Sequence, residues 1–148
     1  MPQLSLHSPF GDLTLSEWDE KIVSLDWGWG MSQDETPLLV EGKHQLQSYF
    51  DGSLKAFDLP LNPAGTAFQQ KLWAALCDIP YGETLTYGAL AEKINSGPRA
   101  VGGACGANPI PIIIPCHRVL AQNGTLSGYS GDGGPDTKKQ LLRLEGAL

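Results

Sequence analysis

The residues with the clearest chemical potential are Pro115-Cys116-His117-Arg118-Val119, which set a thiol beside an imidazole and a guanidinium at the end of the apolar run Ile112–Ile114. A free thiol has a pKa of about 8.5, and neighbouring cations or hydrogen-bond donors lower it toward the reactive thiolate. A histidine oriented by a carboxylate is a recurring way to take the thiol proton. Two plainer readings of the same residues stay open at this point. Many cysteines are small buried hydrophobes, and Cys with His can ligate zinc. Zinc has little support here, because no second Cys or His lies at ligand spacing from Cys116 and the chain has three His in all.

A second unusual stretch is Arg99-Ala-Val-Gly-Gly-Ala-Cys-Gly-Ala107. Its pattern is helical, yet each of Gly102, Gly103 and Gly106 costs a helix roughly 1 kcal/mol against alanine. Such a slim helix suits either tight packing against another helix or insertion of its backbone into a narrow groove. Arg99 at its start can reach a phosphate or fill a space in a base stack, or form an ordinary surface ion pair.

The elements that must position these residues follow from period and punctuation. Leu13 and Leu15 alternate, as do Val23, Leu25 and Trp27 across a charged turn at Asp19–Lys21, so residues 11–27 read as strands. Thr36-Pro37 opens a helix carrying Leu39, Lys43, Leu46 and Phe50, which Gly52 ends. Phe57, Leu59 and Leu61 alternate as a third strand, and Pro60–Gly65 is the best linker. Thr66 and Gln69 form a capping box for a helix with Phe68, Leu72, Leu76 and Ile79 on one face. Pro80-Tyr81-Gly82 breaks it. Thr86 caps the next helix, with Leu90, Ala91 and Ile94 inward, and Pro98 starts the glycine-rich one. Pro109, Pro111 and Pro115 forbid a helix between them, so Ile112–Ile114 is expected to be extended and buried. Asn123-Gly124 and Gly131–Gly134 read as loops. Asp136 is expected to cap a last helix with Leu141, Leu142 and Leu144. Two lobes result: residues 1–63, an α+β lobe of a three-stranded sheet with a helix, and residues 64–148, mainly helical with a helix-turn-helix-like pair.

Composition is that of an ordinary globular protein, and no apolar run approaches the length that spans a bilayer. Met1 to Phe10 lacks the basic and apolar regions of a secretory signal. The expectation is a cytoplasmic protein with three reduced cysteines, Cys77 in the core and Cys105 on the glycine-rich helix. The net charge of −6 is unevenly spread: residues 1–63 carry −7 and residues 64–148 carry +1. The second lobe can therefore approach a polyanion without strong repulsion, although with few cations its phosphate contacts would be few and their salt dependence shallow.

From about Phe68 to Gly146 the sequence resembles the catalytic domain of the O6-alkylguanine-DNA alkyltransferases. The resemblance rests on Ile79-Pro-Tyr-Gly-Glu83, Thr86-Tyr87, Arg99-Ala-Val-Gly-Gly, Asn108-Pro109, Pro115-Cys-His-Arg-Val119, Gly128-Tyr-Ser-Gly131 and the closing Leu141-Leu142 with Glu145-Gly146. It implies single-turnover DNA repair, in which Cys116 takes an alkyl group irreversibly from O6 of guanine, and also from O4 of thymine. The resemblance further implies that His117 activates Cys116 through a bridging water and that Glu145 holds the His tautomer. Tyr87 would donate a hydrogen bond to the leaving base, and Asn108 would tie the recognition helix to the active-site segment. Val119, Tyr129 and Ser130 would contact the guanine. Arg99 would fill the gap left by the flipped base, while Thr86, Ala100, Gly102 and Gly103 would meet the DNA in its minor groove. The partner implied is double-stranded DNA carrying the lesion, met by a monomer away from any membrane, and the displacement requires no cofactor and no metal.

The turn before Arg99 looks shorter than in many members, and the loop Asp132-Gly-Gly-Pro-Asp136 looks longer. Three other functions compete with repair. Alkyltransferase-like damage sensors carry another residue in place of the acceptor cysteine, whereas Cys116 is present here. A plain helix-turn-helix regulator would need a polar helix to read the major groove, which Arg99–Ala107 is not. A Cys-His hydrolase of small esters or amides would leave the glycine-rich helix without a purpose.

Overall fold

The computed structural model describes residues 1–121 and 135–148. These residues form two compact units, Met1–Ala64 and Gly65–Leu148. Among them no helix is long and apolar enough to cross a membrane.

The first unit is an antiparallel sheet, β1 (Gln3–Leu6), β2 (Leu13–Trp18) and β3 (Lys21–Trp27), in that spatial order, with helix α1 (Pro37–Phe50) packed on it. The third strand is β1. The segment Phe57–Leu61, expected as a strand from its alternation, contributes a single bridge between Leu61 and Ile22. Gln3–Leu6 pairs along the whole of Leu13–Ser16, and that pairing fixes the edge. Asp19 and Glu20 form a two-residue hairpin with positive φ at both positions, the geometry whose twist matches the flanking strands. A bulge at Ser16/Glu17 then shifts the register. It changes the phase expected of Val23, Leu25 and Trp27, so that Ile22 and Leu25 are the buried residues of β3. On α1, Thr36 caps the helix and accepts from the Leu39 amide, with Pro37 at the first turn.

In the second unit, α2 (Ala67–Cys77) opens with the Thr66–Gln69 capping box and buries Leu72, Trp73 and Leu76. Cys77, expected in the core, is exposed at the end of α2. Two short strands, β4 (Leu85–Thr86) and β5 (Val119–Leu120), pair in parallel and flank the helices α3 (Tyr87–Lys93) and α4 (Pro98–Gly106). Thr86 ends β4 and caps α3, accepting from the Ala89 amide. Helix α5 (Pro135–Leu144) buries Lys138, Leu141 and Leu142, followed by the buried Glu145. Asp136 lies inside the first turn of α5 rather than before it, where a carboxylate still complements the helix dipole.

Between α2 and β4 the chain reverses at Pro80–Glu83, where the Glu83 amide donates to the Pro80 carbonyl at 3.1 Å. Gly82 takes φ +83° there, and a Cβ on it would sit 3.2 Å from the Glu145 carbonyl oxygen. An L side chain in this region costs about 1–2 kcal/mol. Gly82→Ala is therefore expected to lower unfolding free energy by about that amount, read from urea denaturation. An unchanged midpoint and slope would show that the turn relaxes freely.

Candidate active site around Cys116

Two tight turns deliver Cys116. The Ile113 amide donates to the Pro111 carbonyl at 2.9 Å across Ile112, which has φ +74°. That is a γ-turn of the rare positive-φ kind. The expected extended run Ile112–Ile114 is thus a turn, although all three isoleucines are buried as expected. Its curvature comes from tertiary packing, since a β-branched residue avoids this region when left to itself. Next, the Cys116 amide donates to the Ile114 carbonyl at 2.8 Å across Pro115, whose φ −81° and ψ 66° define an inverse γ-turn. Residues Cys116–Arg118 then form one turn of 3₁₀ helix, all three side chains buried.

Asn108 braces this segment from the end of α4. Its Nδ2 donates to the Ile114 carbonyl and its Oδ1 accepts from the Ile110 amide, both at 2.9 Å. Burial pushes the Cys116 thiol above its ordinary pKa, while a hydrogen bond with the Asn108 side chain and the charge of Lys138 act in the opposite direction.

His117 is fully buried, and its Nε2 lies 2.7 Å from Glu145 Oε2. Its Nδ1 is also buried and has no protein partner among the described residues. Burial lowers the His117 pKa, against the opposing pull of the Glu145 hydrogen bond and charge, so the ring is neutral near pH 7. A neutral ring that gives Nε2–H to Glu145 leaves Nδ1 as the proton acceptor. Arg118 clasps the same carboxylate, donating from Nε to Oε1 at 2.8 Å and from Nη2 to Oε2 at 3.0 Å. Its Nη1 donates to the Ile79 carbonyl at 2.6 Å. Tyr81 adds a hydrogen bond from its hydroxyl to the Leu144 carbonyl at 3.2 Å, beside Glu145.

The register of β4 with β5 sets Leu85 opposite Val119 and Thr86 opposite Leu120. This joins the start of α3, where Tyr87 stands, to the strand that leaves the cysteine turn. Burial drives the Tyr87 pKa up to about 12, so its hydroxyl stays protonated and able to donate. Lys138 has no exposed surface, and its Nζ sits 5.6 Å from the centre of the Tyr87 ring.

On α4, Val101, Ala104 and Cys105 face inward, and the Trp73 indole donates to the Ala104 carbonyl at 3.0 Å. Arg99 and Ala100 are exposed. A Cβ on Gly102, Gly103 or Gly106 would meet nothing within 4 Å. These glycines therefore do not serve tight helix–helix packing. Positions 99, 102, 103 and 106 share one helical face, which presents an arginine followed by bare backbone.

The structure thus brings Cys116, His117, Glu145, Asn108, Tyr87 and Val119 into one neighbourhood and leaves Arg99, Ala100, Gly102 and Gly103 on the α4 surface, with Thr86 at the cap of α3. Tyr129 and Ser130 lie outside the described residues. In the sequence Arg118 reads as a cation beside the thiol, whereas its guanidinium binds Glu145 and the Ile79 carbonyl, and sequence reasoning gave no role to Lys138. Lys138 could have been found as position i of the stripe Lys138, Leu141, Leu142, Glu145, a cation one repeat before a carboxylate.

Two family models match the chain: the 6-O-methylguanine DNA methyltransferase ribonuclease-like domain over residues 4–63, and the DNA binding domain of the same name over residues 67–147. A methylated-DNA–protein-cysteine methyltransferase of Methanosarcina acetivorans is 44% identical over 150 residues, covering 95% of each chain. The constitutive methylated-DNA–protein-cysteine methyltransferase of Bacillus subtilis is 43% identical over 151 residues, covering 93% of this chain and 91% of its own. The crystal structure of Mycobacterium tuberculosis OGT in complex with DNA is 42% identical with a TM-score of 0.89, covering 99% of this chain and 94% of that one.

The neutral, buried His117 has a consequence for stability. Unfolding releases it to its ordinary pKa of 6.5, so below that pH the unfolded chain binds a proton that the folded one does not. Stability should then fall as pH drops through and below 6.5, by at most about 1.4 kcal/mol per pH unit for this one proton. Denaturation of the parent and of His117→Asn across this range checks it: the slope should flatten in the variant, and equal slopes would contradict a neutral buried His117.

Proposed function

The chain belongs to the 6-O-methylguanine DNA methyltransferase family, and from that premise we propose that Cys116 is the acceptor to which it transfers the methyl group from O6 of guanine in DNA. The observation that carries the assignment is the buried relay, in which Glu145 holds His117 Nε2 and leaves Nδ1 to accept a proton next to the thiol in the chain.

Neighbouring residues rarely aim their side chains at each other, so the Cys116 proton passes to His117 Nδ1 through a water. Glu145 stabilises the imidazolium that forms, in the manner of a catalytic triad, and Arg118 keeps the carboxylate ionised. The thiolate sulfur attacks the methyl carbon in line, the carbon–O6 bond breaks, and its electron pair goes to the guanine. Tyr87 donates a hydrogen bond where that charge develops. The product is a thioether, which offers no protonation route back, so each molecule acts once.

O6 lies inside the duplex, so the nucleotide must leave the stack before the sulfur can reach it. The exposed face of α4 supports minor-groove binding: bare backbone at Gly102 and Gly103 allows close approach, and Arg99 fills the space vacated by the base. Thr86 and Ala100 lie beside this surface as further contacts, and the Val119 carbonyl, with Tyr129 and Ser130, completes the guanine pocket. DNA is the partner, which favours a cytoplasmic monomer. O4-methylthymine presents an equivalent exocyclic alkyl–oxygen bond and is a second substrate in this reading.

Incubation with a duplex containing one O6-methylguanine, followed by intact-mass and peptide analysis, tests the assignment. The expected result is one methyl per protein, located on Cys116 and abolished in Cys116→Ser. A methyl on another residue would overturn the assignment of the acceptor, and lesion binding with no mass change would favour a damage sensor.

A further inference from the structure

The stripe that closes the second unit holds a group the relay does not use. Lys138, Leu141, Leu142 and Glu145 stand at i, i+3, i+4 and i+7, one face of a helix, and all four are buried. The two leucines are what such a face ordinarily carries. Glu145 is matched by His117 and Arg118. Lys138 completes the stripe at its other end with no exposed surface, where a leucine or methionine would avoid the cost of desolvating an ammonium.

The surroundings of Lys138 suggest what offsets that cost. From α3, the Tyr87 ring lies 5.6 Å from Nζ, within cation–π range. From α4 comes Cys105, and from the 3₁₀ turn come Cys116 and His117, each in electrostatic contact with the ammonium. Cys105 is itself raised to about 12 by burial, then by the charge of Cys116, and remains a neutral thiol. Among the described residues, the group near Lys138 that can gain negative charge during the reaction is therefore Cys116. Among charges acting on the Cys116 thiol, Lys138 is the one that favours ionisation, whereas on His117 its influence ranks behind those of Glu145 and Arg118. The ammonium thus acts chiefly on the sulfur end of the proton transfer.

We propose that Lys138 is a positioning residue for the alkyl transfer: its buried ammonium, over the Tyr87 ring, stabilises the Cys116 thiolate as it forms, while Glu145 on the same stripe stabilises the proton that passes to His117. This rests on Cys116 being the acceptor. One face of α5 then stabilises both charges that the Cys116–His117 proton transfer creates, a cation for the thiolate at one end and a carboxylate for the imidazolium at the other.

The test follows the pH dependence of iodoacetamide alkylation at Cys116, read by peptide mass so that Cys77 and Cys105 do not interfere. Lys138→Met removes the charge and keeps most of the volume. If it raises the Cys116 pKa by one unit, the thiolate fraction at neutral pH falls about tenfold while each thiolate becomes about threefold more nucleophilic. The variant should then react about threefold more slowly near pH 7 and about threefold faster on the alkaline plateau, so the two profiles cross. Lys138→Arg should keep the parental profile. Superimposed profiles for Lys138→Met would overturn the proposal, and so would uniform slowing without a shift, which marks a merely structural role. Should both Lys138 variants fail to fold, a reciprocal measurement leaves Lys138 in place. The Lys138 ammonium, followed by NMR, should deprotonate at lower pH in Cys116→Ser than in the parent, and equal titrations would overturn the proposal. Because iodoacetamide needs no DNA, a methyl found on another residue would remove the acceptor assignment without altering these profiles.

Discussion

A carboxylate with no solvent contact must be surrounded by donors, and among the described residues Glu145 receives hydrogen bonds from His117 Nε2, Arg118 Nε and Arg118 Nη2. Its oxygens join the end of α5 to the turn that carries Cys116, and the same Arg118 reaches on to the Ile79 carbonyl after α2. Breaking the Glu145–Arg118 ion pair by removing either partner leaves a buried charge without its counter-ion, at a cost of about 3–5 kcal/mol. The turn after α2 also packs on the backbone that carries this residue: Gly82 takes a positive φ against the Glu145 carbonyl, and the Tyr81 hydroxyl donates to the carbonyl of Leu144. A cluster this dependent on complete pairing fixes the His ring in one orientation, which a proton acceptor needs and a stability element does not.

The second constraint is the curvature of the cysteine segment. Three prolines between residues 109 and 115 remove backbone donors. The Ile110 amide donates to Asn108, the Ile113 and Cys116 amides close the two γ-turns, and the Ile114 amide donates to the Ile110 carbonyl. The strained Ile112 is held by its own burial. Strain of this kind persists only where packing over-determines it, and it gathers at functional sites. Here it turns the chain so that the thiol enters the 3₁₀ turn beside Asn108 and the relay.

Features governed by neighbours in the chain were legible in the sequence. The Thr66–Gln69 capping box, the Thr86 cap, Pro98 at the head of α4 and the Gly52 stop all act within one helical turn, and each is where the residues put it. Features set by distant partners were not. Gln3–Leu6 and Phe57–Leu61 alternate equally well, and only pairing with β2 decides which is a strand. The bulge that buries Ile22 depends on the β2–β3 register. Three isoleucines between prolines favour extended backbone locally, and packing overrides them at Ile112. At the site, the Cys-His pair and the distant Glu145 were visible through the family motif. The burial of Arg118 against Glu145 and the part of Lys138 were not, because a cation in a sequence is ordinarily a solvated one, and burial is a tertiary fact.

Glu145 presets His117 as a neutral ring with its proton on Nε2 and Nδ1 left to accept. Long-range proton–nitrogen NMR of the ¹⁵N-labelled histidines at pH 7 reads this directly. The expected result is a protonated Nε2 and an unprotonated Nδ1 for His117, a pattern that persists as the pH is taken through 6.5, the ring's ordinary value. A proton on Nδ1, or a doubly protonated ring at pH 7, would contradict it.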